Sequence, residues 1–185
     1  MATARVMGRV PPSELTLALV GREAGLAPAT LVQRFGSKLG LLQAFARAGA
    51  SGMPDALVAV SARYASPTRA IEAYLAGFAL LAPTADVLNN NLAYLQQDLS
   101  EPTLRAPTQA LFAAHEQALQ SMLDDAVTAG ELDDVDVRAV ARTLLAVVQG
   151  TLIVWGVYRT GSVHAAIRGE VHGVLRPFQR GSGAR

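Results

Sequence analysis

The 185-residue chain contains no cysteine, which excludes disulfide bonds, thiol-based catalysis and cysteine-ligated zinc. Aromatic residues make up only 5% of the chain and charged residues 17%. The N-terminal residues lack the apolar segment that is typical of a secretory signal peptide. These absences predict a cytoplasmic protein.

Hydrophobic runs long enough to span a membrane are also lacking. The most membrane-like stretch lies between Arg142 and Arg159 and holds 16 uncharged residues. A spanning helix needs roughly 20 apolar residues, with about 17 as the lower limit. This stretch is shorter and carries Gln149 and Thr151. We therefore expect it to be buried in protein, without a membrane as partner.

Acidic residues are scarce at the start of the chain. The first 50 residues carry six basic side chains and only two acidic ones, Glu14 and Glu23. The remaining residues carry ten basic and 13 acidic side chains, so the overall formal charge of +1 hides a basic N-terminal region. A basic region at one end of a mildly acidic chain is suited to binding phosphate at that end.

A pattern of short helices and turns runs from Thr16 to Lys38. Thr16 is a typical N-cap residue, and apolar residues follow it at the spacing of one buried helical face. Gly25 can adopt the left-handed conformation that ends a helix. Pro28 suits the first position of the next helix, because its missing N–H would have no intrahelical partner there. The pattern predicts two short helices joined by a tight turn.

The second of these helices has two unlike faces. Leu31 and Phe35 lie four residues apart and are expected to face inward. Ser37 is the expected N-cap of a third helix. Lys38 lies in the first turn of that helix, where a positive charge opposes the helix dipole and lowers stability. A phosphate partner would therefore explain the presence of Lys38 better than helix stability does. The outer face carries no acidic residue and consists of Ala27, Ala29, Thr30, Gln33 and Arg34. This unit is built to place one short helix in a DNA groove.

Residues 16–38 resemble the N-terminal DNA-binding domain of the tetracycline-repressor (TetR) family of bacterial regulators. The family's usual string has a Thr, an Ala-Gly pair at the turn, a small-residue recognition helix ending in Phe, and a Ser-Lys pair. These are Thr16, Ala24-Gly25, residues 27–35 and Ser37-Lys38 in this chain. The resemblance implies a DNA-contacting surface, with no cofactor, formed by Thr16, Ala27, Pro28, Ala29, Thr30, Val32, Gln33, Arg34, Ser37 and Lys38.

Two features depart from the family's pattern. Val32 stands where Tyr is usual and Arg34 where His is common, so the phosphate and base contacts would be rearranged. Family members normally carry a full helix before the Thr, whereas Pro11 and Pro12 bar a continuous helix through the residues that precede Thr16 in this chain. The first helix is therefore expected either to be shortened to residues 2–10 or to begin upstream of Met1.

The chain past residue 50 shows no strand-like alternation of any length. Helices are expected there between turn signals at Ser66-Pro67, Pro83-Thr84, residues 100–102, Gly130 and Gly161-Ser162. Pro107 is expected to delay the start of a long helix, leaving a turn over residues 102–106. The predicted fold is all-α, with a helix-turn-helix head over residues 1–50, a larger ligand-binding and dimerisation domain over 51–180, and a disordered tail over 181–185.

The helix expected over residues 134–158 has apolar side chains on two sides. One side can cover the core of its own domain, and the other needs a partner. Together with residues 163–178, this helix resembles the pair of helices through which the TetR family forms dimers. A monomeric core helix is the alternative. The predicted dimer interface consists of Val147, Gly150, Val154, Val157, Ile167, Val171 and Val174.

Polar and aromatic residues on apolar faces are the candidates for an effector site. A pocket between helices, lined by such residues, would suit a small apolar or amphipathic effector. The same residues can also be ordinary core, because buried polar groups usually find partners inside the protein. The predicted ligand-binding residues are Phe78, Asn91, Tyr94, Phe112, His115, Met122 and Trp155.

No arrangement typical of an enzyme or a metal site stands out. His164 and His172 lie more than two helical turns apart, too far to share one metal without a bend. The acidic run from Glu131 to Asp136 lacks the central Gly and terminal Glu of a calcium loop. The sequence therefore predicts a homodimeric, ligand-released transcriptional repressor that binds operator DNA. The alternative is a helical small-molecule- or partner-binding protein with a degenerate DNA-binding head.

Overall fold

The computed structural model describes residues 2–180, which form ten α-helices and two 3₁₀ turns. Within that range there is no β-strand, and one isolated antiparallel bridge joins Leu132 and Gln179. The all-α prediction is confirmed, while the predicted tail lies outside the described residues. The helices are α1 (Ala2–Arg9), α2 (Leu17–Ala24), α3 (Pro28–Phe35), α4 (Lys38–Ser51), α5 (Met53–Ser61), α6 (Pro67–Ala76), α7 (Ala85–Ser100), α8 (Pro102–Thr128), α9 (Val137–Tyr158) and α10 (Val163–Leu175), with 3₁₀ turns at Gly77–Leu81 and Arg176–Phe178.

The described residues group into two compact units. One unit, here called the head unit, contains residues 2–51 and 81–112. The other, the body unit, contains residues 52–80 and 113–180. The head unit thus includes α7 and the first part of α8 besides α1 to α4. The functional boundary expected at residue 50 stays a prediction.

The head unit has its own apolar core. α1, α2 and α3 have eight residues each, which is too short for a stable isolated helix in water. The free energy of burying apolar surface therefore has to come from all of them together. The core side chains are Val6, Leu15, Val20, Leu31, Leu41, Leu42, Tyr94 and Leu104.

The body unit is centred on α6, α9 and α10, and α10 packs against both α6 and α9. Among the described helices, α9 is by itself the one that is long and apolar enough to cross a membrane by length and composition. Only part of its apolar surface faces the core, because Ile153, Val154 and Val157 are exposed. The fully buried side chains of this unit include Ile71, Leu75, Leu119, Leu123, Leu144, Val148, Ile167 and Val171.

The start of α8 differs from the sequence prediction. The helix begins at Pro102 and continues through Pro107, so the turn predicted over residues 102–106 is wrong. Proline lacks the N–H that would bond to the carbonyl four residues earlier, which here belongs to Thr103. Gln43 Nε2 of α4 donates to that carbonyl at 3.1 Å. A side chain thus replaces the missing backbone donor and satisfies the carbonyl that Pro107 leaves unpaired in the helix.

Candidate nucleic-acid interface

The turn between α2 and α3 is fixed by local hydrogen bonds. Thr16 Oγ1 accepts the Leu19 N–H at 3.1 Å and caps α2. Gly25 has a φ of 68°, and the Leu26 N–H donates to the Gly21 carbonyl at 2.9 Å, which closes a Schellman turn. A Cβ at position 21 would lie 3.0 Å from the Leu26 carbonyl oxygen, so glycine also allows the close approach of the turn. The predicted helix-turn-helix is confirmed.

α3 is anchored on one side and exposed on the other. Leu31 is buried in the head core, and Phe35 packs partly buried against the same core. The guanidinium carbon of Arg34 lies 5.4 Å from the centre of the Phe35 ring, a cation–π distance. No acidic side chain lies on the exposed face, which consists of Ala27, Pro28, Ala29, Thr30, Val32, Gln33 and Arg34. Small, hydrogen-bonding and basic groups thus share a single accessible surface.

The junction between α3 and α4 depends on a glycine that the sequence analysis missed. Ser37 Oγ accepts the Gly40 N–H at 3.0 Å and caps α4 as predicted. A Cβ at position 40 would lie 2.1 Å from the Phe35 carbonyl oxygen, so no side chain fits there. The available signal was the presence of glycine inside a helix, where it costs stability unless a close approach requires it.

Lys38 has a partner within the head unit. Its Nζ donates to the Pro12 carbonyl at 2.9 Å, across 26 residues of sequence. An ammonium group has three donors, so this bond leaves two for a phosphate. The phosphate contact of Lys38 stays a prediction. The bond to Pro12 also gives Lys38 a structural role in the head unit.

α1 carries two arginines that bind to a single carboxylate of α2. Arg5 Nε lies 2.5 Å from one oxygen of Glu23, and Arg9 pairs with the other oxygen. Hydrogen bonds from Arg9 and Arg5 lower the pKa of Glu23. Among the described residues α1 covers Ala2–Arg9. The two alternatives for the start of the first helix, shortened or beginning upstream of Met1, both stay open.

Two of the predicted effector residues come together in the body unit, around a tyrosine that was not predicted. The ring centres of Phe78 and His115 lie 5.0 Å apart, and the Tyr74 hydroxyl lies 2.7 Å from His115 Nδ1 and 3.0 Å from the Met53 sulfur. Burial lowers the pKa of His115 and raises the pKa of Tyr74 to about 12. Tyr74 precedes Phe78 by one helical turn, and this spacing could have signalled its place. These four residues are here called the Tyr74 cluster.

The other predicted effector residues lie elsewhere. Asn91, Tyr94 and Phe112 belong to the head unit, where Asn91 Nδ2 donates to the Leu81 carbonyl at 2.8 Å. Tyr94 is a core residue of that unit, because it packs against the apolar core and donates its hydroxyl to the Val10 carbonyl at 3.1 Å. In the body unit, Met122 is buried in the core, and Trp155 Nε1 donates to the Gly161 carbonyl at the end of α9.

The predicted dimer interface needs a correction. Ile167 and Val171 are 0% exposed, because they point into the core of the body unit, and they cannot also meet a partner. Val174 is partly buried. The residues of α9 do reach the surface, since Val154 is 55% and Val157 73% exposed. The α9 outer face, as used below, consists of Val147, Gly150, Ile153, Val154 and Val157.

A helix-turn-helix with an exposed, acid-free second helix and a larger helical remainder defines a class of DNA-binding regulators. Residues 1–45 match the family model described as "Bacterial regulatory proteins, tetR family". The match assigns a TetR-family domain to residues 1–45, and the described residues 2–180 have a TetR-like fold. No curated protein sequence matches the chain.

Solved structures support the fold over nearly the whole length. The TetR-family regulator PfmR from Thermus thermophilus is 22% identical, with 97% of each chain covered and a TM-score of 0.64. The regulator FadR from Bacillus subtilis, in complex with stearoyl-CoA, is 17% identical over 94% of each chain, with a TM-score of 0.71. A putative regulator from Saccharomonospora viridis in complex with choline is 19% identical, covering 95% of this chain and 92% of that one, with a TM-score of 0.71.

Proposed function

We propose that the protein is a homodimeric repressor that binds operator DNA in the cytoplasm and is released by a small effector. The observation that carries this proposal is the exposed face of α3, which holds no acidic residue. Buried Leu31 and the hydrogen-bonded caps of α2 and α4 hold that helix in place. A rigid helix with such a face suits the DNA major groove, where hydrogen-bonding side chains reach base edges.

The side chains of α3 have separable proposed roles. Gln33 and Thr30 are the proposed base-reading residues, because an amide and a hydroxyl can both donate to and accept from base edges. Arg34 and the exposed Ser37 are proposed to contact phosphates, which fix orientation without reading sequence. The small residues 27–29 at the N-terminal end of α3 leave room for the DNA backbone to approach a positive helix end.

Dimerisation is proposed through the α9 outer face. A palindromic operator needs two heads whose recognition helices lie about 34 to 36 Å apart, one turn of the double helix. An apolar face on a helix whose other side is already buried calls for a covering surface, and a two-fold interface presents the same face from both copies. We propose that this partner is a second copy of the chain, with no membrane involved.

The effector is proposed to bind at the Tyr74 cluster. Stearoyl-CoA and choline in the similar structures are an amphipathic molecule and a small cation, each bound to a protein with this fold. In this chain the Tyr74 hydroxyl already bonds to His115 Nδ1, so Nε2 is the ring nitrogen left for an effector beside the Phe78 ring. Burial lowers the pKa of His115 and so favours the neutral ring. A small apolar or amphipathic effector with one polar group suits these contacts. If it binds better to a dimer whose heads have another spacing, it lowers DNA affinity by mass action.

Binding of the full chain to the DNA that flanks its own gene tests the DNA-binding part of this proposal. We expect retention of that DNA by two chains per site, at near-physiological salt and with excess unrelated DNA present. Gln33→Ala should reduce discrimination at one base pair by roughly 10-fold, since one good base contact is worth about 1–3 kcal/mol. Gln117→Ala, an exposed glutamine in the body unit, is the matched control and should leave binding unchanged.

Loss of all retention under competition would contradict the repressor. The chain would then act as a helical ligand- or partner-binding protein whose head no longer recognises DNA. Equal discrimination by the Gln33→Ala variant and the wild type would remove Gln33 from the base-reading set.

A further inference from the structure

Three backbone carbonyls, at the end of α1 and in the segment that follows it, each accept a hydrogen bond from a side chain that is distant in sequence. Asn90 Nδ2 donates to the Gly8 carbonyl at 3.0 Å, and the Tyr94 hydroxyl donates to the Val10 carbonyl at 3.1 Å. The Lys38 Nζ donates to the Pro12 carbonyl at 2.9 Å. The three carbonyls belong to every second residue along the segment, and all six residues lie in the head unit.

These carbonyls need donors because the local backbone cannot supply enough of them. The last carbonyls of a helix have no intrahelical partner, and α1 ends at Arg9. Pro11 and Pro12 follow after one further residue and have no N–H to donate. The Pro12 carbonyl does accept the Leu15 N–H, at 3.4 Å, so the bond from Lys38 is its shorter one. Side chains from α7 and α4 thus complete the hydrogen bonding of a proline-containing connection.

The two donors on α7 are built into the head. Asn90 and Tyr94 lie four residues apart and therefore on one side of α7. Tyr94 is buried in the same core as Leu15, the residue directly before the Thr16 cap of α2. Gly8 lets α7 come close, since a Cβ there would lie 3.3 Å from a methyl carbon of Val87. The connection is held where it leads into the helix-turn-helix.

We infer that Asn90, Tyr94 and Lys38 are positioning residues that hold the segment from Gly8 to Pro12 and thereby set where α2 and α3 begin. The inference rests on the proposed DNA binding for its functional consequence. α7 belongs to the DNA-binding unit in this arrangement, and Tyr94 acts on the helix-turn-helix through the Val10 carbonyl.

Two substitutions in the full-length chain test this role. Tyr94→Phe keeps the buried ring and removes only the donor to Val10, and Asn90→Ala removes the donor to Gly8. The matched controls are Tyr64→Phe, an exposed tyrosine of the body unit, and Asn89→Ala, the exposed neighbour of Asn90 on α7. Two quantities are measured well below the unfolding temperature. One is the affinity for the DNA that flanks the gene, and the other is the hydrogen-exchange rate of the backbone N–H groups of residues 14–20.

We expect each variant to lose about 10-fold in DNA affinity, the typical effect of one lost hydrogen bond. Exchange should accelerate over residues 14–20 and stay unchanged in the body unit, while both controls behave as the wild type. Wild-type affinity and exchange in both variants would overturn the inference. Uniformly faster exchange across the whole chain would also overturn it, because that result indicates only a loss of global stability.

The exchange measurement separates this inference from the proposed function. If the wild type binds no DNA, the proposed function fails, but local acceleration over residues 14–20 would still support the positioning role. If the wild type binds DNA and exchange in the variants is unchanged, the positioning role fails and the proposed function stands.

Discussion

α3 and α9 each bury one side and expose the other, but the two exposed faces have opposite chemistry. The α3 face carries Thr30, Gln33 and Arg34 among small residues, whereas the α9 outer face is wholly apolar apart from Gly150. Hydrogen-bonding and basic groups gain most from a polyanion that offers acceptors. Aliphatic groups gain most from another apolar surface. Both faces are proposed contact surfaces because both are exposed. Only the chemistry of each face assigns DNA to α3 and a second protein copy to α9 in that proposal.

The largest expected effect comes from breaking the α3 side of this comparison. In the Gly40→Ala variant the new Cβ would meet the Phe35 carbonyl oxygen at 2.1 Å, so the junction between α3 and α4 must shift. We expect the free energy of unfolding to fall by about 3 kcal/mol, the upper part of the range for overpacking. DNA affinity should fall by roughly 100-fold or more, because α3 no longer holds its position.

Urea denaturation and DNA titration measure these two changes. The control is Gly77→Ala, where a Cβ would meet no atom within 4 Å. That substitution should be neutral or slightly stabilising. A Gly40→Ala variant as stable as the control would show that the junction tolerates a side chain.

The next effect comes from breaking the α9 side. Val154→Arg places a charge on the proposed dimer interface, and an unpaired charge in an apolar interface is costly. We expect the dimer dissociation constant to rise at least about 100-fold, and DNA affinity to fall with it. Sedimentation equilibrium measures the first change.

Val58→Arg is the matched control for Val154→Arg. Val58 is also an exposed valine of the body unit, at 69%, but it lies on α5. Equal dimer stability in both variants would exclude the α9 outer face as the interface.

The smallest expected effect is a pH dependence of the free energy of unfolding. It concerns the buried side chain of His115, which belongs to neither the α3 face nor the α9 outer face. Burial lowers the pKa of His115 below its ordinary value of 6.5. Below pH 6.5 the unfolded chain therefore binds a proton that the folded chain does not, and stability is lost as the pH falls towards the folded-state pKa. We expect the free energy of unfolding to decrease between pH 7.5 and pH 5.5, and to decrease less in His115→Gln.

Urea titrations at several pH values measure this difference between the wild type and the variant. The difference isolates His115 from Asp98, whose pKa is raised by burial and which titrates in both proteins. Parallel pH profiles would show that His115 makes no contribution to the pH dependence of stability.

Local chemistry predicted the helix-turn-helix well. Thr16, Gly25, Pro28 and Ser37 act on the backbone within a few residues of themselves, so their roles can be inferred from sequence neighbours alone. The same rules were incomplete at Pro107, where the expected break in the helix is absent. The compensating donor, Gln43, lies 60 residues from Thr103 in the sequence. Rules based on neighbouring residues cannot predict a hydrogen bond over that separation.

Long-range contacts were the part that the sequence could not provide. An apolar stripe predicts that a helix face is covered, but it does not identify the cover, which is why Ile167 and Val171 were assigned to a partner and turned out to face their own core. Tyr94 was assigned to an effector site for the same reason. Its burial was expected, whereas its hydrogen bond to Val10, across 84 residues, depends on the fold.

The bonds from α7 to the start of the chain also constrain how the protein is made. Asn90 and Tyr94 lie 82 and 84 residues after the carbonyls that they bind. During synthesis, the helix-turn-helix leaves the ribosome early, but these partners and the core residue Leu104 follow much later. A nascent or prematurely terminated chain that ends before α7 cannot complete the head unit. The head unit can therefore be completed only after α7 and Leu104 have been translated.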